Sequence, residues 1–374
     1  MLPPPLAERL TREGSLSFAT FLELALYDPE HGFYATGGRA GGRGDFLTSP
    51  EVGPLFGAVI GLMLDQVWES LGRPDPFVVA DVGAGPGTLA RSVRIAAPRC
   101  SPALVYLLVE RSAPQRGLHG AHLPGWVGER EGDLLERAVV TPVDGRGPKF
   151  VSAAALPSAL TGVIVANELL DNLPFDIVRR RGPVIEEMVV VAADGELEFD
   201  TVPASPAIAA TVGNIEVDDD RWFPRQQEAR NWVDDALQRL QGGRLLVLDY
   251  GDSTASLAAR PDMAWLRTYR SNARGGHPLD APGSQDITTD VALDQVQRDH
   301  PATRMRSQAT FLRDHGLDAL VEAGRRIWTD RAAAPDLVAI RARSRVGEAD
   351  ALTDVAGLGS FAVLEWDVGP IRGS

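Results

Sequence analysis

The chain of 374 residues holds one cysteine, Cys100, and one lysine, Lys149, and it has no long apolar run. A lone cysteine excludes an intramolecular disulfide framework and a cysteine-based zinc cluster, and it suits a reducing cytoplasm. The longest apolar stretch, Val52 to Leu64, is interrupted by Pro54 and stopped by Asp65. That is short of the ~20 residues that cross a bilayer, so no membrane insertion is expected. The opening MLPPPLAERL has no basic segment leading into an apolar core, so it does not read as an export signal, and a soluble cytoplasmic protein is expected. Positive charge is also in deficit: the formal net charge is -14, which disfavours nucleic acid or an anionic membrane as the main partner. The preference for arginine over lysine reads as coding composition.

Hydrophobic residues make up 44% of the chain, enough for one large α/β domain with additions or for two domains. To about Asp75 the pattern is helical around a glycine-rich loop. From Phe77 the short apolar runs FVVADV, LVYLLVE, GVIVAN and RLLVLDY alternate with helix-like stretches, the pattern of a parallel sheet covered on both faces. Between Phe175 and Val202 the text breaks at Gly182-Pro183 and Asp194-Gly195, which predicts antiparallel hairpins. A helix is expected over Pro224 to Leu240, and several more from Ile287 to Ala333, with DLVAIRAR and FAVLEW as candidate closing strands. Residues 251–286 read as a long ordered loop of the kind that often joins a site.

VVADVGAGPGTL, residues 78 to 89, delivers a β-branched strand into Gly83, Gly85 and Gly87, with a helix from near Thr88. Glycine permits positive φ and lets a ligand touch backbone at a strand tip; a tight turn with no ligand is the plainer alternative. A dinucleotide fingerprint needs glycine at its first, third and sixth positions, and the sixth here is Thr88, which disfavours a nicotinamide oxidoreductase. Asp81 stands two residues before Gly83, and this acid with three alternate glycines resembles the first motif of class I methyltransferases, which hold S-adenosylmethionine. Glu110, at the end of LVYLLVE, stands where such folds use a carboxylate to accept hydrogen bonds from both ribose hydroxyls, a role that dinucleotide enzymes share; a solvated strand end is the plainer alternative. Asp133, in EGDLLE, stands where methyltransferases commonly set an acid facing the adenine amino group, although acidic loops are common.

GVIVANELLDNLPFD ends an apolar strand in Asn167 and Glu168, followed by Asp171 and Asn172. On one helical turn Glu168 and Asp171 would share a face and form a negative pocket; alternatively Asn167 caps a turn and the acids are solvated. Upstream, Ser49 before Pro50 predicts a helix capped by the serine. Gly53, Gly57 and Gly61 then recur every fourth residue, a spacing that favours close helix packing. The loop before them carries Arg39, Arg43 and Asp45 and is a candidate lid.

Taken together, DPEHGFY, GDFLTSPEVGPLFG, DVGAGPGTL, NELLDNLPF, LDYG, LRTYR and PGSQDIT, in order over residues from about 28 to 290, resemble the MidA family of methyltransferases. The resemblance implies an α/β, Rossmann-like class I methyltransferase fold with a helical N-terminal region (1–75), a cofactor-binding half (76–174), a β-hairpin insertion (175–223) and a C-terminal half with a helical accessory region (224–374). It implies S-adenosylmethionine as cofactor, held by Asp81, Gly83, Gly85, Gly87, Glu110 and Asp133. It also implies a protein substrate with an accessible arginine, since the mitochondrial members methylate an arginine of a respiratory complex I subunit, the large quinone-side one. On this reading Glu168, Asp171 and Asn167 hold a guanidinium beside the methyl donor, Asp45 and Glu51 lend support from the lid, and no metal is needed. Two positions depart from the family, which carries histidine where this chain has Asn272 and Asp290; His277 is a candidate substitute, although a lone loop histidine is more often incidental. That departure keeps open a second reading, an assembly factor that binds the cofactor without transferring its methyl group.

Overall fold

Val163, Ile164, Val165 and Ala166 are fully buried because the strand they form lies in the middle of a sheet with both faces covered. The computed structural model describes residues 2–36, 48–213, 215–270 and 273–369; Arg39, Arg43, Asp45 and Asn272 lie outside the described residues. The chain folds as two compact units that cut across the segments read from the sequence. The larger comprises Leu47–Glu168, Ala236–Asp249 and Ala302–Ser374, and the smaller Met1–Phe46, Leu169–Asp235 and Tyr250–Pro301.

The larger unit is built on eight strands: β1 (Phe77–Val82), β2 (Leu104–Val109), β3 (Trp126–Glu129), β4 (Lys149–Ala153), β5 (Leu160–Asn167), β6 (Leu240–Asp249), β7 (Arg304–Ser307) and β8 (Ala362–Val368). Their order is β7-β8-β6-β5-β1-β2-β4-β3. Strands β1 to β6 pair in parallel, whereas β8 runs antiparallel to both β6 and β7. The order reverses between β1 and β5, and the carboxyl ends of strands at such a switch point frame the ligand crevice of open α/β sheets.

Two helices hold the site's flank. Helix α1 (Ser49–Val52) is separated by Gly53 from α2 (Pro54–Ser70). Thr48, not Ser49, occupies the cap position; the Ser49 hydroxyl instead donates to Gln308 Oε1 at 2.8 Å. Two of the three spaced glycines carry close packing: a Cβ at Gly57 would stand 2.4 Å from Ser92 Cβ of α3 (Thr88–Ala96), and one at Gly53 would stand 2.4 Å from Glu348 Cδ. At Gly61 the nearest atom lies at an ordinary 3.5 Å. FAVLEW forms β8, but DLVAIRAR opens the helix Leu337–Thr353 rather than a strand. The Asp336 carboxylate accepts the Ala339 N–H at 2.8 Å and caps that helix, while Ala339 and Ala342 turn inward.

His315 makes this unit sensitive to acid. Its Nδ1 donates to Gln66 Oε1 at 2.8 Å and its Nε2 accepts from Arg306 at 3.1 Å, so the ring is neutral. Burial, reinforced by Arg306 and Arg244, pushes its pKa down to about 4. Between that value and about 6.5 the unfolded chain binds a proton that the folded chain refuses, so stability falls as the pH is lowered through this window. Relative to pH 7, we expect His315 to cost about 2 kcal/mol at pH 5. Urea titrations of the wild type and His315→Gln at both pH values check this, because the variant lacks that part of the pH dependence.

The smaller unit carries an antiparallel sheet in which Ser15–Ser17, Val184–Ala193, Asp176–Arg181 and Trp222–Arg225 lie in that order, with Glu196–Pro203 also paired to Val184–Ala193. Its hairpins turn at Gly182 and at Asp194-Gly195, where the sequence breaks. Phe18, Phe175 and Trp265 pack edge to face in its core. Residues 251–286 are more regular than a loop: they contain the helix Thr254–Ala259, and Leu266–Arg270 pairs with both Ala273–Arg274 and Asp286–Thr289.

Candidate active site

Three neighbouring strands of the larger unit end in the residues that matter: β1 in the glycine turn, β2 in Glu110 and β5 in Asn167 and Glu168. The N–H groups of Gly83 and Ala84 donate to the Val109 carbonyl (2.9 and 3.2 Å), that of Gly87 to the Ala84 carbonyl (2.9 Å) and that of Gly85 to Glu110 Oε2 (3.0 Å). Pro86 has none. Every N–H of residues 83 to 87 is therefore engaged inside the protein. What the turn and Glu110 offer are acceptors, which suit a cationic nucleoside.

The glycines divide by role. Gly85, at φ 53°, has nothing within 4 Å of where a Cβ would stand, so its backbone borders open space. Gly87, at φ 87°, is the entry to α3, and a Cβ there would strike Leu108 Cδ2 at 2.8 Å. Glu110 is half-buried and aimed by two backbone groups, Gly85 N–H on Oε2 and Ser112 N–H on Oε1 (2.7 Å). Burial raises its pKa, and those N–H groups oppose the rise. The Arg111 backbone also donates to this carboxylate, so three backbone groups fix its orientation. Asp81 is 3% exposed and takes the Tyr106 hydroxyl at 3.1 Å; burial pushes its pKa up to about 7.

Asp133 does not stand where the sequence suggested. The strand before it, β3, is not the neighbour of β2, because β4 comes between them. Asp133 is exposed in the first turn of the helix Gly132–Val140, one strand removed from the position that reading assumed.

Glu168 follows β5 with φ 52°, a left-handed conformation that costs a non-glycine residue about 1 kcal/mol and is concentrated at functional sites. Its N–H extends the sheet by donating to the Leu248 carbonyl at 2.8 Å. Its Oε1 accepts from Ser49 N–H (3.2 Å) and Asn167 Nδ2 (3.1 Å). Asn167 Oδ1 is buried with no hydrogen-bond partner among the described residues. Glu51 is occupied, accepting the Thr88 hydroxyl at 2.6 Å and so tying α1 to the start of α3.

The helical turn expected to carry both Glu168 and Asp171 is a 3-10 turn over Leu170–Asn172 that excludes Glu168. Asp171 belongs to the smaller unit. Its Oδ2 accepts the Tyr250 hydroxyl at 2.5 Å, and burial pushes its pKa up to about 7. In the same unit Asn172 donates to Asp286 Oδ1 (3.0 Å), and Asp290 is paired with Arg260 and Arg267. His277 accepts the Leu279 N–H at 3.3 Å and sets its ring against Phe199, a local structural role. Among the described residues no cluster of histidine, cysteine and acids could hold a metal ion, and no helix is long and apolar enough to cross a membrane.

A parallel sheet closed by an antiparallel strand inserted next to its edge, with a glycine turn whose N–H groups are engaged and a backbone-aimed carboxylate on adjoining tips, is the architecture of a class I S-adenosylmethionine-dependent methyltransferase. Residues 59–309 match Methyltransf_28, and the chain belongs to this family of S-adenosyl-L-methionine-dependent methyltransferases. Among curated relatives, the mitochondrial protein arginine methyltransferase NDUFAF7 of Bos taurus is 25% identical over 83% of this chain and 72% of its own length. The Homo sapiens protein of that name is 24% identical over 83% and 72%. A Burkholderia thailandensis protein, solved bound to S-adenosyl-homocysteine, superposes with a TM-score of 0.77 at 25% identity, covering 98% of this chain and 91% of that one. S-adenosylmethionine is the cofactor, and Gly85 and Glu110 fit it by their open backbone and aimed carboxylate.

Proposed function

We propose that this methyltransferase modifies an arginine of a protein substrate, with Glu168 receiving the guanidinium. The observation that carries this reading is the acceptor pair at the tip of β5, the Glu168 carboxylate and Asn167 Oδ1, which has no partner among the described residues, on the strand next to the one bearing the glycine turn. A guanidinium is a planar fork of donors that a carboxylate meets with two parallel hydrogen bonds. The cofactor, when bound, supplies an electrophilic methyl group. Glu168 has two tasks: it fixes the attacking nitrogen, and it accepts the proton that nitrogen must release, because a free guanidinium holds its proton to above pH ~12. Asp171 is left out of this assignment because its carboxyl is engaged with Tyr250 inside its own unit.

The names of the curated relatives support arginine as the target, and the MidA resemblance makes the large quinone-side subunit of complex I the first substrate to try. Incubation of that subunit with enzyme and S-adenosylmethionine, followed by tandem mass spectrometry, should place one or more methyl groups on arginine. Methyl groups found only on lysine or a carboxylate would refute the reading. Cofactor binding with no methylated product from a panel of arginine-containing proteins would favour the second reading, a docking protein. That reading draws on Asp290, an ion-paired acid where the family carries histidine.

A further inference from the structure

Two consecutive carbonyls of the glycine turn face imidazoles from a single helical turn, His119–His122. His119 Nε2 lies 2.7 Å from the Gly85 carbonyl and His122 Nδ1 lies 3.1 Å from the Pro86 carbonyl. A spacing of three puts both rings on one face. A carbonyl can only accept, so each ring donates.

Behind His119 the direction of every hydrogen bond is forced. Trp126 Nε1, which can only donate, points at Ser152 Oγ at 2.8 Å, and the Ser152 hydroxyl lies 2.7 Å from His119 Nδ1. Complete burial favours the neutral ring, and its single hydrogen then sits on Nε2, so the serine hydrogen goes to Nδ1. The chain of bonds runs from β3 through β4 to the turn.

Gly85 is consequently clamped on both sides, its N–H by Glu110 and its carbonyl by His119. With no Cβ and a left-handed φ, this residue has little of its own to hold it in place. We propose that His119, seconded by His122, is a positioning residue for the cofactor: it fixes the Gly85 peptide and, through it, the Glu110 carboxylate in the receiving geometry before the nucleoside arrives. Such preorganisation appears as affinity.

The test titrates wild type, His119→Ala and His119→Gln with S-adenosyl-homocysteine by calorimetry. Loss of the clamp should raise Kd by about tenfold in the alanine variant, and glutamine, whose amide N–H can replace Nε2–H, should recover most of that. KM for the cofactor should rise in step, by more than kcat falls. Long-range 15N NMR of histidine-labelled wild type should show the hydrogen on Nε2 of His119 at neutral pH. An unchanged Kd in His119→Ala, or the hydrogen on Nδ1, would overturn the proposal. Should His119→Ala not fold, the exposed His122→Ala decides on its own: a Kd raised about threefold supports the clamp and an unchanged one refutes it.

Discussion

Glu168→Gln is expected to lower methyl transfer by about 10²- to 10³-fold while leaving affinity for S-adenosyl-homocysteine within about threefold of wild type. The substitution keeps the shape of the side chain and an oxygen to accept the Ser49 N–H and Asn167 Nδ2, so the tip of β5 should hold its conformation. What it removes is the charge that pairs with a guanidinium and the base that takes its proton. Glu168→Gly relieves the left-handed strain at φ 52° but removes the acceptor of the buried Ser49 N–H and of Asn167 Nδ2, so it should cost about 1–3 kcal/mol of stability while transfer is lost as completely. Steady-state kinetics with thermal denaturation of both variants check the pair. Full activity in Glu168→Gln would remove this residue from the chemistry.

Glu110→Ala should weaken cofactor binding by about 100-fold or more. Two hydrogen bonds to a charged acceptor contribute about 1.5 kcal/mol or more each, and their loss adds to that of the acceptor for Gly85 N–H. Glu110→Gln keeps one acceptor oxygen and should fall between, about tenfold weaker than wild type. Calorimetric titration with S-adenosyl-homocysteine orders the three proteins. Equal affinity across them would mean that the ribose is held elsewhere.

The parts of this site that could be read in advance are those in which a local rule and the global fold agree. Runs such as Val163 to Ala166 announce a strand buried on both faces, and a sheet of such strands puts whatever follows each run at one edge. The position of Gly85, Glu110 and Glu168 at strand tips is legible for that reason. Asp133 was misplaced because nothing in the sequence says that Lys149–Ala153 inserts between β2 and β3; strand order is decided by packing over long sequence separations. DLVAIRAR illustrates a second limit. Eight residues of mixed apolar and polar character fit a strand or a helix, and the cap that settles it, Asp336 on Ala339, precedes the run. The same holds for Ser152, which looks like any strand serine until Trp126 and His119 are brought to either side of it. Serine before proline is a good local rule for a cap, and at Ser49 a hydrogen bond to Gln308, 259 residues away, overrides it. Glu168 and Asp171 look like partners by spacing alone, but the positive φ of Glu168 breaks the helical turn that would have set them side by side.

A crystal structure with S-adenosyl-homocysteine is the most direct measurement. It should show the nucleoside laid along Gly85, with both ribose hydroxyls on Glu110 and Gly85 still bonded to His119. A ligand bound away from the tip of β1, or a ribose that does not touch Glu110, would contradict the account.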